Sequence, residues 1–398
     1  MAQKEITVVV VATSIPFPVG IAATNRIISY LKLMVSNGLI CKVLITKATE
    51  KKGQVVNQST YGTVEGINYR YLSRSTVLPG KGKGIVKIKN FIYSQLLLIS
   101  ELIQHRPTVV ITYSYSFLVK LLLIFAARIF RFRLFFEETE YPKILKRKRA
   151  NWMKKIYLKQ YKYADGMIVM TKTLHDYYSS LGVKQIFHLP MTVDSSRFSE
   201  YAEPRAKKKE FVYAGGSGGF KRDGVLNIVQ AFLMFQRAYR DYRLVIAGPI
   251  DRNDSVFKSI QECIIKDGVE ESVVFTGNLK SDEIPGLLMH ATGIIMAPPK
   301  DFESGGFPTK LGEFLASGTP TICTRVSDID FYIAENEAFL AKPDNIGELV
   351  EHMTFIAENP SESRVTGFRG AQKASQIFNA ETYISKMIGF VTSGAYLN

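Results

Sequence analysis

The sequence predicts an α/β protein built as two doubly wound parallel sheets. Three observations carry that prediction. Strand-length runs of β-branched residues alternate with amphipathic helical segments along most of the 398 residues. The alternation halts at residues 199–210, a charged, Pro-containing and nearly apolar-free stretch, and then begins again. In the second half, glycine-rich turns follow strands and precede helices, the place where such sheets bind ligands. The length suffices for two cores, and 46% hydrophobic with 22% charged residues is a globular composition.

Residues 6–12 form a continuous β-branched run, the signature of a central parallel strand. The loop from Thr13 to Gly20 leads into a helix over 22–36, and residues 41–46 return as a strand. Residues 53–84 are polar and glycine-punctuated, which predicts a hairpin and a mobile loop. Further strands fall near 69–72, 109–112, 134–137, 167–170 and 185–188, with helices between most of them. After the linker come a strand at 211–214, a helix at 225–239, a strand at 243–247, a helix at 256–266 and a strand at 273–276. Strands at 293–297 and 319–323 follow, then two or three helices from Ile346. The expected domains are 1–198 and 211–378, joined by the linker 199–210, with a last helix at 379–398.

Cys41, Cys263 and Cys323 are far apart and lack metal-ligand spacing, so free thiols in a reducing compartment are expected. The five histidines form no pair at ligand spacing, and no metal site is expected. Val8-Val9-Val10-Val11 is too short for a signal core, and the apolar region 118–136 is broken by Lys120, Arg128, Arg131 and Arg133. A cytoplasmic protein is the expectation.

The most informative stretch runs from Phe307-Pro308-Thr309-Lys310 through Glu313 to Gly318-Thr319-Pro320. Gly305-Gly306 lead into a helix with Pro308 at its first position, and Gly318 ends it. Unpaired N–H groups and a positive dipole end attract phosphate, and Lys310 adds a full charge. Glu313, one turn on, can accept hydrogen bonds from two adjacent hydroxyls, as a ribose presents them. A capped helix without a ligand would read the same way. A second cluster, Ala214-Gly215-Gly216-Ser217-Gly218-Gly219-Phe220-Lys221-Arg222, can bring N–H groups to phosphate oxygens, with Lys221 or Arg222 adding charge. It is not a dinucleotide fingerprint, because Lys221 stands at the third glycine's place, nor a phosphate-binding P-loop.

These motifs resemble the donor site of retaining, family 4-type glycosyltransferases, in the branch that carries Phe-Pro-Thr-Lys-Leu-Gly-Glu. The resemblance implies the GT-B fold, two Rossmann-like domains facing across a cleft. It implies a nucleoside diphosphate sugar as substrate and no separate cofactor, with a UDP-sugar favoured over a GDP-sugar. Gly215, Gly216, Ser217, Lys221 and Arg222 then meet the diphosphate. Gly277 and Asn278 meet the base, and Gly306, Phe307, Pro308, Thr309, Lys310 and Glu313 complete the donor loop. Lys221 and Lys310 would stabilise the leaving group. Gly305 replaces the family's first donor-loop Glu, and Gly216 stands where the clamp Arg would be. In the first half, Gly20 would approach the donor phosphates and the Asn25-Arg26 pair opens the helix. In Phe136-Glu137-Glu138-Thr139-Glu140 the family often has a His; here Glu138 or Glu140 is the acceptor-side candidate.

The net charge of +15 gathers at residues 143–159, where no acid occurs. Lys146, Arg147, Lys148 and Arg149, interleaved with Ile, Leu, Trp and Met, predict a basic amphipathic helix on an anionic leaflet. The same pattern suits a helix packed on the sheet with a solvated basic face. No nucleic-acid motif accompanies the charge. The partners expected are a nucleotide sugar, a glycan or lipid-linked acceptor and an anionic membrane surface. A sugar-nucleotide epimerase of the same fold and a non-catalytic binding subunit stay open beside the transferase.

Overall fold

The computed structural model describes residues 5–80, 84–145, 149–201, 207–216, 219–302 and 305–393. The chain divides into two compact units, Met1–Thr192 with Ala380–Asn398, and Val193–Asn379.

The first unit holds β1 (Thr7–Ala12), α1 (Ala22–Ser36), β2 (Ile40–Ile45), β3 (Tyr61–Val64), β4 (Ile67–Tyr71) and α2 (Gly84–His105). It continues with β5 (Val109–Tyr113), α3 (Phe117–Phe130), β6 (Arg133–Glu138), α4 (Asn151–Lys159), β7 (Gly166–Val169), α5 (Lys172–Ser180) and β8 (Ile186–His188). The strand order is β3-β4-β2-β1-β5-β6-β7-β8. Every pairing is parallel except the hairpin β3–β4, which sits at the edge. Strand β1 shows why its sequence is unbroken valine: it lies between β2 and β5 and is covered on both faces. Val8 and Val10 enter one core with Ile27, Leu31 and Met34 of α1. Val9 and Val11 point the other way, into a core with Leu98 and Leu102 of α2 and Leu123 of α3.

The second unit holds β9 (Lys208–Ala214), α6 (Gly219–Arg222), α7 (Val225–Gln236), β10 (Arg243–Ala247), α8 (Ser255–Asp267), β11 (Val273–Gly277) and α9 (Glu283–His290). Then come β12 (Ala291–Met296), α10 (Lys310–Ala316), β13 (Thr321–Thr324), α11 (Ile329–Tyr332), β14 (Phe339–Ala341), α12 (Ile346–Glu358) and α13 (Pro360–Ile377). Its sheet is all parallel in the order β11-β10-β9-β12-β13-β14. One face of that sheet packs Phe211 and Tyr213 against Ile228 and Phe232 of α7 and Met353 of α12.

The last helix, α14 (Glu381–Thr392), belongs to the first unit. Its Phe390 ring meets Phe135 and Phe187 at 5.3 and 5.4 Å. Arg133 donates to the carbonyls of Phe390 (3.2 Å) and Val391 (2.9 Å), satisfying the end of the helix. Residues 195–201 form a 3₁₀ turn that groups with the second unit, and Lys208 to Glu210 already form strand, so the expected linker 199–210 is partly structured.

Candidate functional site

In the second unit the chain builds from β9 outward to β10 and β11, then returns to the other side of β9 with β12. Connections leaving the carboxyl ends of β9 and β12 therefore diverge, which opens a crevice at the switch point. The two glycine-bearing loops found in the sequence are the loops that flank it. They are fastened to each other through backbone. The Ala297 N–H donates to the Asp223 carbonyl at 3.1 Å. Gly224, at φ +65°, lies so close that a Cβ there would come within 1.8 Å of the Ala297 carbonyl oxygen. Only glycine fits.

Asp223 is buried and accepts a hydrogen bond from the Tyr213 hydroxyl at 2.6 Å and an ion pair from Lys310 Nζ. Burial first, then the Asp223 charge, pushes the Tyr213 phenol well above its ordinary value, so it stays a donor. Lys310 is thus positioned by a carboxylate on the facing loop. Glu313 pairs with Arg197 at 2.9 Å, and Arg197 also donates to Ser281 Oγ at 3.0 Å. Arg197 escaped sequence reasoning because it falls at the end of the expected first domain, with no motif around it.

The remaining donor-side candidates divide by exposure. Gly216, Lys221, Arg222 and Asn278 are exposed, and Arg222 lies 5.2 Å over the Phe302 ring. Gly215 is fixed by its N–H to the Ala247 carbonyl (2.9 Å), and the Gly277 carbonyl accepts from Gly248 N–H at 2.9 Å. Ser217 lies outside the described residues. The Gly306 carbonyl accepts from Ser327 Oγ at 2.6 Å. Phe307 and Pro308 are buried; Phe307 packs on Tyr332 and Phe378 at 5.4 and 5.5 Å and so anchors the loop from beneath. The helix starts at Lys310, later than expected, with Thr309 as its cap residue and Pro308 ahead of it.

The first unit has its own switch point, between β1 and β5. A cavity of about 630 Å³ lies there, lined by Thr13 and Ser14 after β1, Tyr115 after β5, Lys143 after β6, and Arg149 and Trp152. Lys143 Nζ sits 4.2 Å over the Tyr115 ring. The chain around 143–145 is a turn closed by Leu145 N–H to the Pro142 carbonyl, and the helix begins only at Asn151, so the expected basic helix is shorter than the charge run. Arg149 is exposed; Lys146, Arg147 and Lys148 lie outside the described residues.

The acidic run at the end of β6 is corrected by the structure. Its residues alternate between faces of the sheet, and each of the first two acids finds its own buried cation. Glu137 takes Arg26 Nε at 2.6 Å and the Tyr30 hydroxyl at 2.8 Å. Arg26 also donates to the carbonyls of Leu189 (2.8 Å) and Pro190 (2.5 Å), which makes it a structural tie. Glu138 is paired with Lys120, whose side chain is fully buried, beside the ring of Tyr161. Glu138 therefore faces the core and not a ligand. Glu140 is half-buried, and its charge, after burial and Tyr113, helps push up the phenol of the cavity residue Tyr115. Glu140 is the half-buried carboxylate of the run, whereas Glu137 and Glu138 are buried. Gly20 has a packing role: a Cβ would meet Thr24 Oγ1 at 2.5 Å and the Pro16 carbonyl at 2.8 Å.

Among the described residues no group of three or more His, Cys, Asp or Glu could hold a metal ion, and no helix is long and apolar enough to cross a membrane. Cys41, Cys263 and Cys323 are free.

Comparison with known proteins falls on the second unit first. Residues 198–373 match the family model described as glycosyl transferases group 1. The chain carries a glycosyltransferase domain. The group 1 match contains both glycine loops, Lys310, Glu313 and the unforeseen switch-point partner Asp223. A 2-deoxystreptamine glucosyltransferase of Streptomyces kanamyceticus is 26% identical over 139 residues, 35% of this chain and about a third (34%) of that relative's length. Among solved structures, a sucrose-phosphate synthase from Thermosynechococcus elongatus superposes with a TM-score of 0.76 at 13% identity, covering 99% of this chain and all of that one. A Rickettsia africae glycosyltransferase gives 0.72 at 13% identity with full coverage of both chains. The Anabaena protein HepE, solved with UDP, gives 0.71 at 12% identity over 98% of this chain and 100% of its own. At these identities the likeness establishes the fold, which is the GT-B arrangement of two parallel-sheet α/β domains.

Proposed function

We propose that the protein is a retaining glycosyltransferase that moves a sugar from a nucleoside diphosphate sugar, with uridine as the base, to a hydroxyl of a lipid-linked glycan in polysaccharide assembly. The observation that carries the donor half is the switch-point constellation of the second unit: Lys310 held by Asp223, with Glu313 one helical turn further on. HepE, a structural neighbour, has been solved with UDP and with UDP-glucose, which supports a uridine donor.

In this reading Glu313 takes the ribose hydroxyls, displacing or sharing Arg197. Lys310 and the exposed Lys221 and Arg222 set a positive potential where the diphosphate gains charge as the bond from sugar C1 to phosphate oxygen breaks. The acceptor oxygen bonds to C1 and gives up its proton, for which Glu140 is the first unit's candidate base. The cavity beside Tyr115 and Trp152 holds the acceptor, and the basic segment from Lys146 to Arg149 keeps it at an anionic leaflet.

Calorimetric titration of the wild type with UDP, GDP and ADP tests the donor assignment, with Glu313→Ala and Arg197→Ala in parallel. UDP binding that falls tenfold or more in Glu313→Ala and less in Arg197→Ala is expected. Nucleotide binding unchanged in Glu313→Ala removes the assignment.

A further inference from the structure

Helix α2 carries two apolar faces where a surface helix needs one. Phe91, Leu98 and Leu102 turn toward the core, together with Glu101, which is buried against Lys42 of β2 and Arg70 of β4. On the opposite face Ile85, Ile88, Ile92, Leu96 and Ile103 recur at spacings of three, four and seven and are all exposed, Leu96 by 66% and Ile88 by 62%. Helix α3 packs beside α2 and extends the surface with exposed Leu118, Phe125 and Ile129, again at helical spacing. Isolated exposed leucines need no explanation, but two adjacent helices that each present a row of large apolar side chains mark a docking surface.

The charge around the stripe says what docks. From Gly84 to Phe136 the sequence contains one acid, Glu101, and it is spent on the sheet side. The exposed ionised groups of this stretch are Lys87, Lys89, Arg128 and Arg131, with Arg106 beyond the end of α2. Lys89 lies on the stripe itself, four residues after Ile85 and three before Ile92. An apolar stripe flanked by cations and free of exposed acids matches a bilayer whose headgroups are anionic, with the side chains entering the acyl boundary and the lysines and arginines at phosphate level. We propose that the α2–α3 face of the first unit docks the protein on an anionic membrane surface. This places the main apolar contact on a different element from the basic segment at Lys146–Arg149, and it is independent of what the second unit binds.

The test is co-sedimentation of the full chain with phosphatidylcholine vesicles, with and without phosphatidylglycerol. The wild type should sediment with the anionic vesicles only. Ile88→Gln/Ile92→Gln/Leu96→Gln should weaken binding at least tenfold, and Phe125→Gln/Ile129→Gln should do so separately. Melting temperature and UDP titration of each variant show whether it is folded and keep this question apart from the donor site. If both variants sediment like the wild type while Lys146→Ala/Arg147→Ala/Lys148→Ala/Arg149→Ala does not, the inference is overturned in favour of the basic segment. A wild type that binds neither vesicle overturns it too. So does a dimer by light scattering that the apolar variants convert to monomer without loss of vesicle binding, which would make the face a contact between copies of this chain.

Discussion

Lys310, the first residue of α10, and Asp223, directly after α6, form an ion pair between the segment that follows β12 and the segment that follows β9. The two residues are 87 positions apart in the sequence, yet the switch in strand order makes them neighbours. The pair does two things at once. It closes the loops over the backbone contact at Gly224 and Ala297, and it sets the direction from which the Lys310 ammonium meets a ligand.

If that ammonium is a phosphate ligand, its removal should be felt only by nucleotides that carry phosphate. Lys310→Ala is expected to lower UDP affinity roughly ten- to a hundredfold, the ~1.5–3 kcal/mol of a hydrogen bond to a charged group, and to leave uridine affinity unchanged. Equal losses for UDP and uridine would show that the variant merely disorders the loop.

The Lys120–Glu138 pair should behave as a buried ion pair with no functional duty. Burial pushes Glu138 above the usual carboxylate range and Lys120 below the usual amine range, in opposition to their mutual attraction. Lys120→Met alone leaves a buried carboxylate and is expected to cost about 3–5 kcal/mol. Adding Glu138→Leu should restore most of it. Urea unfolding of wild type, single and double variants checks this, and a double variant as unstable as the single would contradict it.

Acid stability should depend on Glu101. Burial raises its carboxyl, but Lys42 and Arg70, which both contact it, outweigh burial and hold it below the usual range; His105 faces it from its own helix. A carboxylate depressed in the folded state contributes stability above its unfolded value of about 4.3, and loses it as pH falls through the lower folded value. Glu101→Gln should therefore be less stable than wild type at pH 7, with the difference shrinking below roughly pH 4.3. A difference that stays constant from neutral to acid pH would mean that the pair is not what Glu101 contributes.

Much of the architecture was legible in advance because it depends on local pattern. The β-branched run at 6–12 could only be a strand covered on both faces, and helix α1 spans the residues its periodicity marks. Strand β14 escaped notice because three residues at a sheet edge carry no period. Glu138 departs from its expected acceptor-side place for a different reason. Its partner Lys120 lies in the preceding helix and the Arg26 that meets Glu137 lies in α1, and only the packing of those helices on the sheet brings either cation to β6. Phe307 sits in the motif that predicts a ligand surface, but packing against Tyr332 and Phe378 turns it inward.

The sequence by itself determined the two α/β units, the glycine loops at their strand ends and the positively charged, acid-poor character of the first unit. These follow from residue type and spacing, which act over a few turns of chain. Tertiary structure decided which charges are spent inside and which remain outside. Glu101, Glu137, Glu138 and Lys120 are consumed in the core, and Lys310 is aimed by Asp223. The stripe on α2 stays exposed because the sheet can cover only one side of a helix. Long-range pairing is settled by topology, and no local pattern in the chain encodes it.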